Sequence, residues 1–475
     1  MGLRKKLYIS TMGCQMNVYD TEQIERALWG IGYEPVDCPE AADLIIANTC
    51  AIREKAEQKA FSFLGRTAEL KRKNPDLIVG IGGCVAQQEG KKILKRVPQI
   101  DLIFGTDAIS RLPDLVRRFE KDRCRIIDVD LKNGLNEIRL GNDPFRRTQT
   151  AKFVTIMRGC DNFCTYCVVP HVRGRERSRT PDSILEEVRH LVASGVRDIT
   201  LLGQNVNSYG LKEGLCTFPE LIHRINDVDG KFRIRFTTSH PKDLSQDLME
   251  AFGTVDKLCA HIHLPVQSGS DAVLKRMNRK YTRDQYLEKV NQLRKIHPDI
   301  AVTSDIIVGF PGETPEDFNQ TLDLIKTVQY DSLFVFSYSD RPSAPAAAFS
   351  DKVPGEVKIE RLQEVLNFQE KVTTDKNSSL KGKTVEVLVE GKSKKSLWAA
   401  DDDGNNEKLE WAGRTSANKV VNFIVDGNAV QDLSGKFVRV HIERAMMHSV
   451  WGRVERTMGE TPPYEEKEGE INHDA

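Results

Sequence analysis

Between residues 6 and 337 short apolar runs alternate with stretches of helical spacing, and this alternation constrains the fold more than any other feature. A strand, a helix and a second strand in succession require a crossover. Neighbouring strands are then parallel, and the sheet lies buried between helices. The pattern occurs twice. In the first round the strand runs are 6–10, 44–48, 77–82 and 102–104, with helical spacing at 20–30 and 55–73. The second round has strand runs at 153–157, 198–202, 232–237, 258–264, 302–308 and 332–337, with helical segments such as 183–194 and 283–296. Six units of this kind predict a partial barrel of parallel strands, whose sites lie at the C-terminal strand ends. After about residue 378 the runs at 384–389, 420–424 and 437–442 are broken by Gly391, Gly404, Gly413, Gly427 and Gly435. No long helix fits there, which predicts a small all-β barrel of the type often used for oligonucleotides. The fold class is therefore α/β. A parallel-sheet domain (5–122) and a linker (123–145) precede a partial (β/α)6 barrel (146–377), an all-β barrel (378–454) and an acidic tail (455–475).

A chain of 475 residues is too long for one core. With 39% hydrophobic and 29% charged residues it reads as globular rather than disordered. No apolar run reaches the roughly 18 to 20 residues of a membrane span. The N-terminus leads straight into a strand without a signal-peptide core, so the expected location is cytoplasmic. Ten cysteines in a reducing compartment argue for metal ligation or catalysis, not a disulfide framework. The formal net charge is zero, which gives no global support for nucleic-acid binding. Locally, residues 141–180 carry eight Arg/Lys against three Asp/Glu, with Arg173, Arg175, Arg177 and Arg179 alternating. A solvated loop and an anion-binding rim both account for that stretch. Glu465, Glu466, Glu468, Glu470 and Asp474 make the tail acidic, and it is expected to be disordered.

Cys160, Cys164 and Cys167 follow the first strand of the second round with the spacing C-x₃-C-x₂-C. Three thiolates do not complete a tetrahedral zinc site, and no second C-x₂-C pair is present. The spacing also differs from the C-x₂-C-x₂-C run of ferredoxins. Three thiolates can hold three irons of a cubane and leave the fourth open to a small molecule. A second set, Cys14, Cys50 and Cys84, has one member after each of three apolar runs of the first round. In a parallel sheet these positions converge at one edge. Three ordinary buried cysteines are the plainer reading. The flanking glycines and cap-type residues favour loops at strand ends, and with them a second open-iron cluster. Cys38, Cys124, Cys216 and Cys259 lack such a context and read as structural.

The cysteine loop, with the aromatic Tyr166 before its last thiol, resembles that of the radical S-adenosylmethionine superfamily. The resemblance implies that the amino and carboxylate groups of S-adenosylmethionine chelate the open iron. One electron then cleaves the sulfonium to give a 5′-deoxyadenosyl radical. Later strand ends match in order: Leu201-Leu-Gly-Gln-Asn205, His263-Leu-Pro-Val-Gln-Ser-Gly-Ser270 and Asp305-Ile-Ile-Val-Gly-Phe-Pro-Gly-Glu313. By the same resemblance Tyr166, Gly203, Gln204, Asn205, Gln267, Ile307 and Gly309 contact the cofactor. Ser239-His240, at the end of the third strand, stays unassigned.

Apart from the acidic tail, the chain resembles the methylthiotransferases, and within them the branch that modifies bacterial tRNA. Gly13-Cys-Gln-Met-Asn17, Asn48-Thr-Cys-Ala-Ile-Arg-Glu-Lys-Ala-Glu57 and Gly413-Arg-Thr415 carry that finer likeness. The resemblance implies a C-terminal TRAM domain and two [4Fe–4S] clusters. The implied substrate is N6-isopentenyladenosine next to the anticodon, within the tRNA anticodon stem-loop. The reaction further calls for an electron donor such as flavodoxin or ferredoxin and a sulfur source, and the complete domain set gives no need for a partner subunit, so a monomer is expected. Trp411, Arg414 and Arg439 are the candidate RNA contacts, whereas Phe423 reads rather as barrel core. Residues 381–453 hold twelve basic against ten acidic residues, so strong electrostatic capture by this domain alone is not expected. Two other readings stay open. A sister branch thiomethylates an aspartate of a ribosomal protein, and a non-enzymatic iron–sulfur RNA-binding or redox-sensing protein would also carry cysteine sets.

Overall fold

The computed structural model describes residues 4–51, 54–131, 149–393, 409–425 and 432–455. The acidic tail and most of the predicted linker lie outside them. The chain forms two compact units, the first running to Thr373 and also holding Ser416–Asn418, the second made of the remainder from Thr374.

The first unit begins with a six-stranded parallel sheet in the order β2-β1-β3-β4-β5-β6. Its strands are β1 (Lys5–Met12), β2 (Tyr33–Pro35), β3 (Leu44–Thr49), β4 (Ile78–Gly83), β5 (Leu102–Phe104) and β6 (Ile126–Asp128). Every residue of β3, β4 and β5 is buried, as expected for strands covered on both faces. The crossovers are α1 (Gln15–Trp29), α2 (Glu54–Lys73), α3 (Cys84–Glu89) and α4 (Leu112–Asp122). Two departures from expectation stand out. The first helix begins at Gln15 rather than near 20, because its opening turn follows β1 directly. The sixth strand falls inside the 123–145 segment read as linker: three residues are too short to show a period, yet Ile126 and Ile127 pair with Leu102 and Ile103.

A curved set of parallel strands follows. β7 (Ala151–Thr155), β10 (Asp198–Leu202) and β11 (Arg233–Phe236) form one sheet; β12 (His261–His263), β13 (Ala301–Val308) and β14 (Ser332–Ser337) form another. A parallel bridge between Ile234 and Leu258 joins them into the expected six-stranded half-barrel. The ribbon β8 (Met157–Arg158) and β9 (Arg177–Ser178) brackets the cysteine loop and the short α5 (Val169–Arg173). Outside the strands run α6 (Pro181–Ala193), α7 (Phe218–Asn226), α8 (Gln246–Thr254), α9 (Asp271–Arg276), α10 (Arg283–Ile296), α11 (Pro315–Val328) and α12 (Gly355–Ser378). The core forms where the outward strand residues Ile199, Ile234, Val302 and Ile306 meet Val188, Leu221, Leu293 and Leu324 of the helices. Thr217, Thr282 and Thr314 cap α7, α10 and α11 with capping boxes, each fixing where a helix starts after its strand-end loop.

The second unit is a closed five-stranded barrel, β15-β16-β17-β19-β18. Its strands are β15 (Thr384–Lys392), β16 (Glu410–Arg414), β17 (Val420–Ile424), β18 (Phe437–Ala445) and β19 (Val450–Val454). Closure leaves no open edge. Val387, Val389, Trp411, Val421, Phe423, Val440 and Ile442 fill the interior. Among the described residues no helix is long and apolar enough to cross a membrane.

Candidate active site

Strand register explains how Cys14, Cys50 and Cys84 meet. Met12 pairs with Thr49, and Thr49 with Gly83, so β1, β3 and β4 end level. The cysteines stand one or two residues beyond. The strand order reverses between β1 and β3, and the crevice at such a reversal is where open α/β sheets bind ligands. Cys50 and Cys84 are buried and Cys14 half-buried. Close approach here requires glycine. Gly83 has φ +89°, and an added Cβ would lie 2.4 Å from the Thr49 carbonyl oxygen.

Two buried asparagines lock this edge. Asn17 Nδ2 donates to Asn48 Oδ1 at 3.1 Å and to the Thr49 carbonyl at 3.0 Å. Asn48 Nδ2 donates to the Asn17 carbonyl at 2.9 Å. Asn17 Oδ1 accepts from the Cys14 backbone N–H at 3.2 Å and faces the Cys14 thiol at 3.4 Å. A hydrogen bond from Cys50 and the positive charge of Arg173 outweigh burial and lower the Cys14 thiol to about 6. Burial raises Cys84, and Arg173 opposes that rise.

The Cys160–Cys167 loop leaves the end of β8. Gly159, at φ +77°, turns the chain into it; an added Cβ would lie 2.1 Å from the Arg175 carbonyl oxygen. Cys164 is buried, Cys160 and Cys167 half-buried. Burial pushes the Cys160 thiol up to about 11 and Cys167 to about 12. Donors converge on two of the sulfurs. Arg279 Nη1 lies 3.4 Å from Cys164 Sγ, and the Val169 N–H lies 3.5 Å from Cys167 Sγ. Arg279 is itself fixed by the Pro265 carbonyl at 2.6 Å and the Tyr281 hydroxyl at 3.0 Å. His240, unassigned from sequence, places Nε2 4.0 Å from Cys164 Sγ. Burial, then Arg279, Lys242 and Lys289, hold its ring neutral, at about 2. Nδ1 accepts the Lys242 N–H at 3.1 Å, so the tautomer assigned from this network carries its proton on Nε2, toward the sulfur.

The later strand ends surround this loop. Gln204 accepts the Gly159 N–H through Oε1, while an added Cβ at Gly203 would meet Met157 Cγ at 2.5 Å. Asn205 Nδ2 donates to Ser208 Oγ at 2.9 Å and to Asp243 at 2.8 Å. Gln267 sits at φ +76° and bridges to β13, accepting the Ile307 N–H at 2.9 Å. Gly309, at φ +67°, donates its N–H to Glu313 Oε1 at 3.0 Å, and Arg361 Nη1 donates to the same oxygen at 2.6 Å. The Tyr166 hydroxyl lies 3.3 Å from Arg279 Nη1. Gln204 Nε2, Asn205 Oδ1, Asn207 Oδ1, Ser239 Oγ and Asn162 Nδ2 are buried without hydrogen-bond partners. These atoms lie on the cysteine loop and on the segments that follow β10 and β11.

Among the described residues no three His, Cys, Asp or Glu side chains close around a single metal ion. A cubane holds its thiolates apart at separate corners.

In the barrel, Trp411 is only 4% exposed and belongs to the core with Phe423. Its ring is not offered to RNA, which corrects the stacking contact expected of it; alternation marks an inward position without saying which face is inward. Arg414 pairs with Glu390 at 2.9 Å, and exposed Arg439 with Glu455 at 3.3 Å. Sequence reasoning missed Arg279, quoted Asn17, Asn48 and Glu313 within motifs without giving them a role, and placed Arg173 only in a basic stretch. Polar residues next to, or within, apolar runs were the only available signal.

A half-barrel of parallel strands with this cysteine loop after its first strand defines a radical S-adenosylmethionine enzyme. Residues 154–325 match the radical SAM superfamily, 6–105 the uncharacterized protein family UPF0004, and 378–454 the TRAM domain. The superfamily match implies use of S-adenosylmethionine and a [4Fe–4S] cluster. Among solved structures, the radical S-adenosylmethionine methyltransferase TsrM from Kitasatospora setae superposes with a TM-score of 0.56 at 14% identity. That match covers 72% of this chain and 75% of the other, and it shows the fold alone. A tRNA-2-methylthio-N(6)-dimethylallyladenosine synthase from Desulfosudis oleivorans is 54% identical over 94% of this chain and 96% of its own length. Relatives of the same name from Syntrophus aciditrophicus (95% of both chains) and Syntrophotalea carbinolica (94% of this chain, 99% of its own) are 49% and 48% identical. The chain belongs to this family of radical S-adenosylmethionine methylthiotransferases.

Proposed function

We propose that the chain converts N6-isopentenyladenosine to its 2-methylthio derivative at position 37 of tRNA, 3′ of the anticodon. The pair of separate cysteine sets, both at C-terminal strand ends of one compact unit, carries the methylthiotransferase chemistry, and the relatives named as tRNA-modifying synthases carry the choice of tRNA. Cys160, Cys164 and Cys167 would hold the cluster that binds S-adenosylmethionine. Cys14, Cys50 and Cys84 would hold a second cluster that presents sulfur. Carbon 2 of adenine bears an unactivated C–H bond; the cofactor would supply the radical that removes its hydrogen, leaving as 5′-deoxyadenosine, the methylthio group would take the hydrogen's place, and the protein supplies position. Tyr166, Gly203, Gln204, Asn205, Gln267, Ile307 and Gly309 would line the cofactor, with Gln204 Nε2 and Asn205 Oδ1, which lack partners in the chain, as its polar contacts. The Arg279 guanidinium and the His240 N–H would steady the Cys164 thiolate. Arg414 and Arg439 would touch RNA phosphates, and the target base would leave the loop's stack to reach the site. An electron donor such as flavodoxin or ferredoxin and a sulfur source complete the reaction. A tRNA substrate would fit a cytoplasmic enzyme.

The names of the relatives favour tRNA over the ribosomal-protein substrate of the sister branch. Nucleoside mass spectrometry of tRNA from cells lacking the gene tests the reading. The methylthio mark should vanish while the isopentenyl precursor stays; an unchanged mark would overturn it. In the purified enzyme, Cys160→Ala should abolish 5′-deoxyadenosine formation. Cys14→Ala should keep that cleavage and lose thiomethylation.

A further inference from the structure

α5 links the two cysteine sets. Cys167 stands just before this helix, and its last residue is Arg173. The Arg173 side chain does not return to the loop it came from. Nη2 donates to Asp20 Oδ2 at 2.7 Å, and Asp20 lies on α1, the helix that begins next to Cys14. The two side chains are 4% and 1% exposed. Nη1 has no hydrogen-bond partner of its own. α3, which opens with Cys84, packs against α5, and Val172, the neighbour of Arg173, lies in the same buried cluster as Cys84.

Asp20 is also the end of a longer chain of charges. Its Oδ1 lies 3.7 Å from Arg158, which lies 3.9 Å from Asp107. Asp107 lies 3.8 Å from Arg111, and Arg111 holds Asp128 at 2.8 Å. Acid and base alternate from Asp128 to Arg173, and the series finishes with its positive end at the cysteines. A buried charge of this kind is poorly screened by solvent. Charge and hydrogen bonds next to a cluster set its potential.

We propose that Arg173 is a positioning residue of the Cys14/Cys50/Cys84 set, where it balances the negative charge of thiolate-bound iron and of an anionic sulfur such as hydrosulfide. The inference rests on the two-cluster reading above. Because Arg173 comes from the loop of the other set, the same residue fixes the charge at one site and its distance from the other.

The test uses the full chain with Cys160, Cys164 and Cys167 changed to Ala, reconstituted anaerobically with iron and sulfide, so that one cluster remains. Its reduction potential is followed by electron paramagnetic resonance. Adding Arg173→Gln should shift the potential to more negative values, because a positive charge favours the reduced cluster. Asp20→Asn should shift it the opposite way, since it leaves the guanidinium less neutralised. Arg173→Lys should stay near the parent. Where Arg173→Gln fails to keep its iron, the sign of the Asp20→Asn shift decides. A potential indifferent to these changes, or Arg173→Gln and Asp20→Asn shifts of the same sign, would overturn the role of Arg173. A triple-Ala parent that binds no iron would instead overturn the two-cluster reading, and this inference with it.

Discussion

Gly83 shows how little room a single residue has at the edge where Cys14, Cys50 and Cys84 meet. Its positive φ and its closeness to the Thr49 carbonyl both exclude a side chain. Gly83→Ala should destabilise the protein by about 1–3 kcal/mol, measured by urea unfolding. It should also reduce iron bound by the Cys14 set while 5′-deoxyadenosine formation persists. Glu176 tests electrostatics at the same scale. Burial pushes its carboxyl up to about 7, opposed by the Ser208 hydroxyl donated to Oε2 at 2.8 Å. The folded state therefore holds a proton that the unfolded chain releases near 4.5. Its cost to stability is absent below that value and appears as pH rises toward 7. Glu176→Gln should flatten this part of the pH–stability curve in the iron-free protein, read by urea midpoints at pH 5 and pH 7. That Cys14, Cys50 and Cys84 follow three strands ending at one sheet edge was legible in the apolar runs, and that Cys160, Cys164 and Cys167 share one loop was legible in their spacing. Arg173 and Arg279 were not: an arginine in a basic stretch looks alike whether it meets water or a sulfur. Trp411 failed for a related reason, since only closure of the barrel decides which face turns inward.

At the scale of elements, strand ends and helix starts carry the site. Glu313 holds the turn after β13 by accepting from the Gly309 N–H and from Arg361 on α12. Both members of the ion pair are buried, with Arg361 8% and Glu313 2% exposed at the side chain. Glu313→Ala leaves a buried guanidinium without its partner and should cost about 3–5 kcal/mol in a denaturation titration. It should also weaken S-adenosylmethionine binding, seen as a raised KM for cofactor cleavage. The strands of both α/β regions could be read from their apolar runs, because burial on both faces leaves a dense signal. β6 could not, since its three residues depend on β5 for their place. The start of α1 was read too late, because Met16, Asn17 and Tyr19 are buried for reasons other than helical period. Met16 and Tyr19 pack with Leu202, and Lys152 pairs with Glu22 at 2.9 Å, so α1 seats the first sheet on the half-barrel.

For the whole molecule, the order of domains was legible from changes in pattern along the chain. The seating of the first sheet on the half-barrel was not, because it uses single residues far apart in sequence. The all-β barrel has its own core and forms a separate unit. A chain ending at Thr373 should therefore still cleave S-adenosylmethionine while its affinity for tRNA falls, by roughly tenfold or more if two or three phosphate contacts are lost. Filter binding across a salt series checks this, and the truncated chain should show the shallower salt slope.

The two cysteine sets also differ in when they can exist. Cys160, Cys164 and Cys167 are neighbours in sequence, and their loop needs little beyond itself to bring them together. Cys14, Cys50 and Cys84 meet only after the crossovers have placed β1, β3 and β4 in register. Such non-local closure comes late in folding. On the two-cluster reading, loading would have a built-in sequence: the local set could capture iron on a partly folded chain, and the discontinuous set only on a finished sheet. Iron bound there would also report native structure, since any opening of the sheet would disperse its ligands.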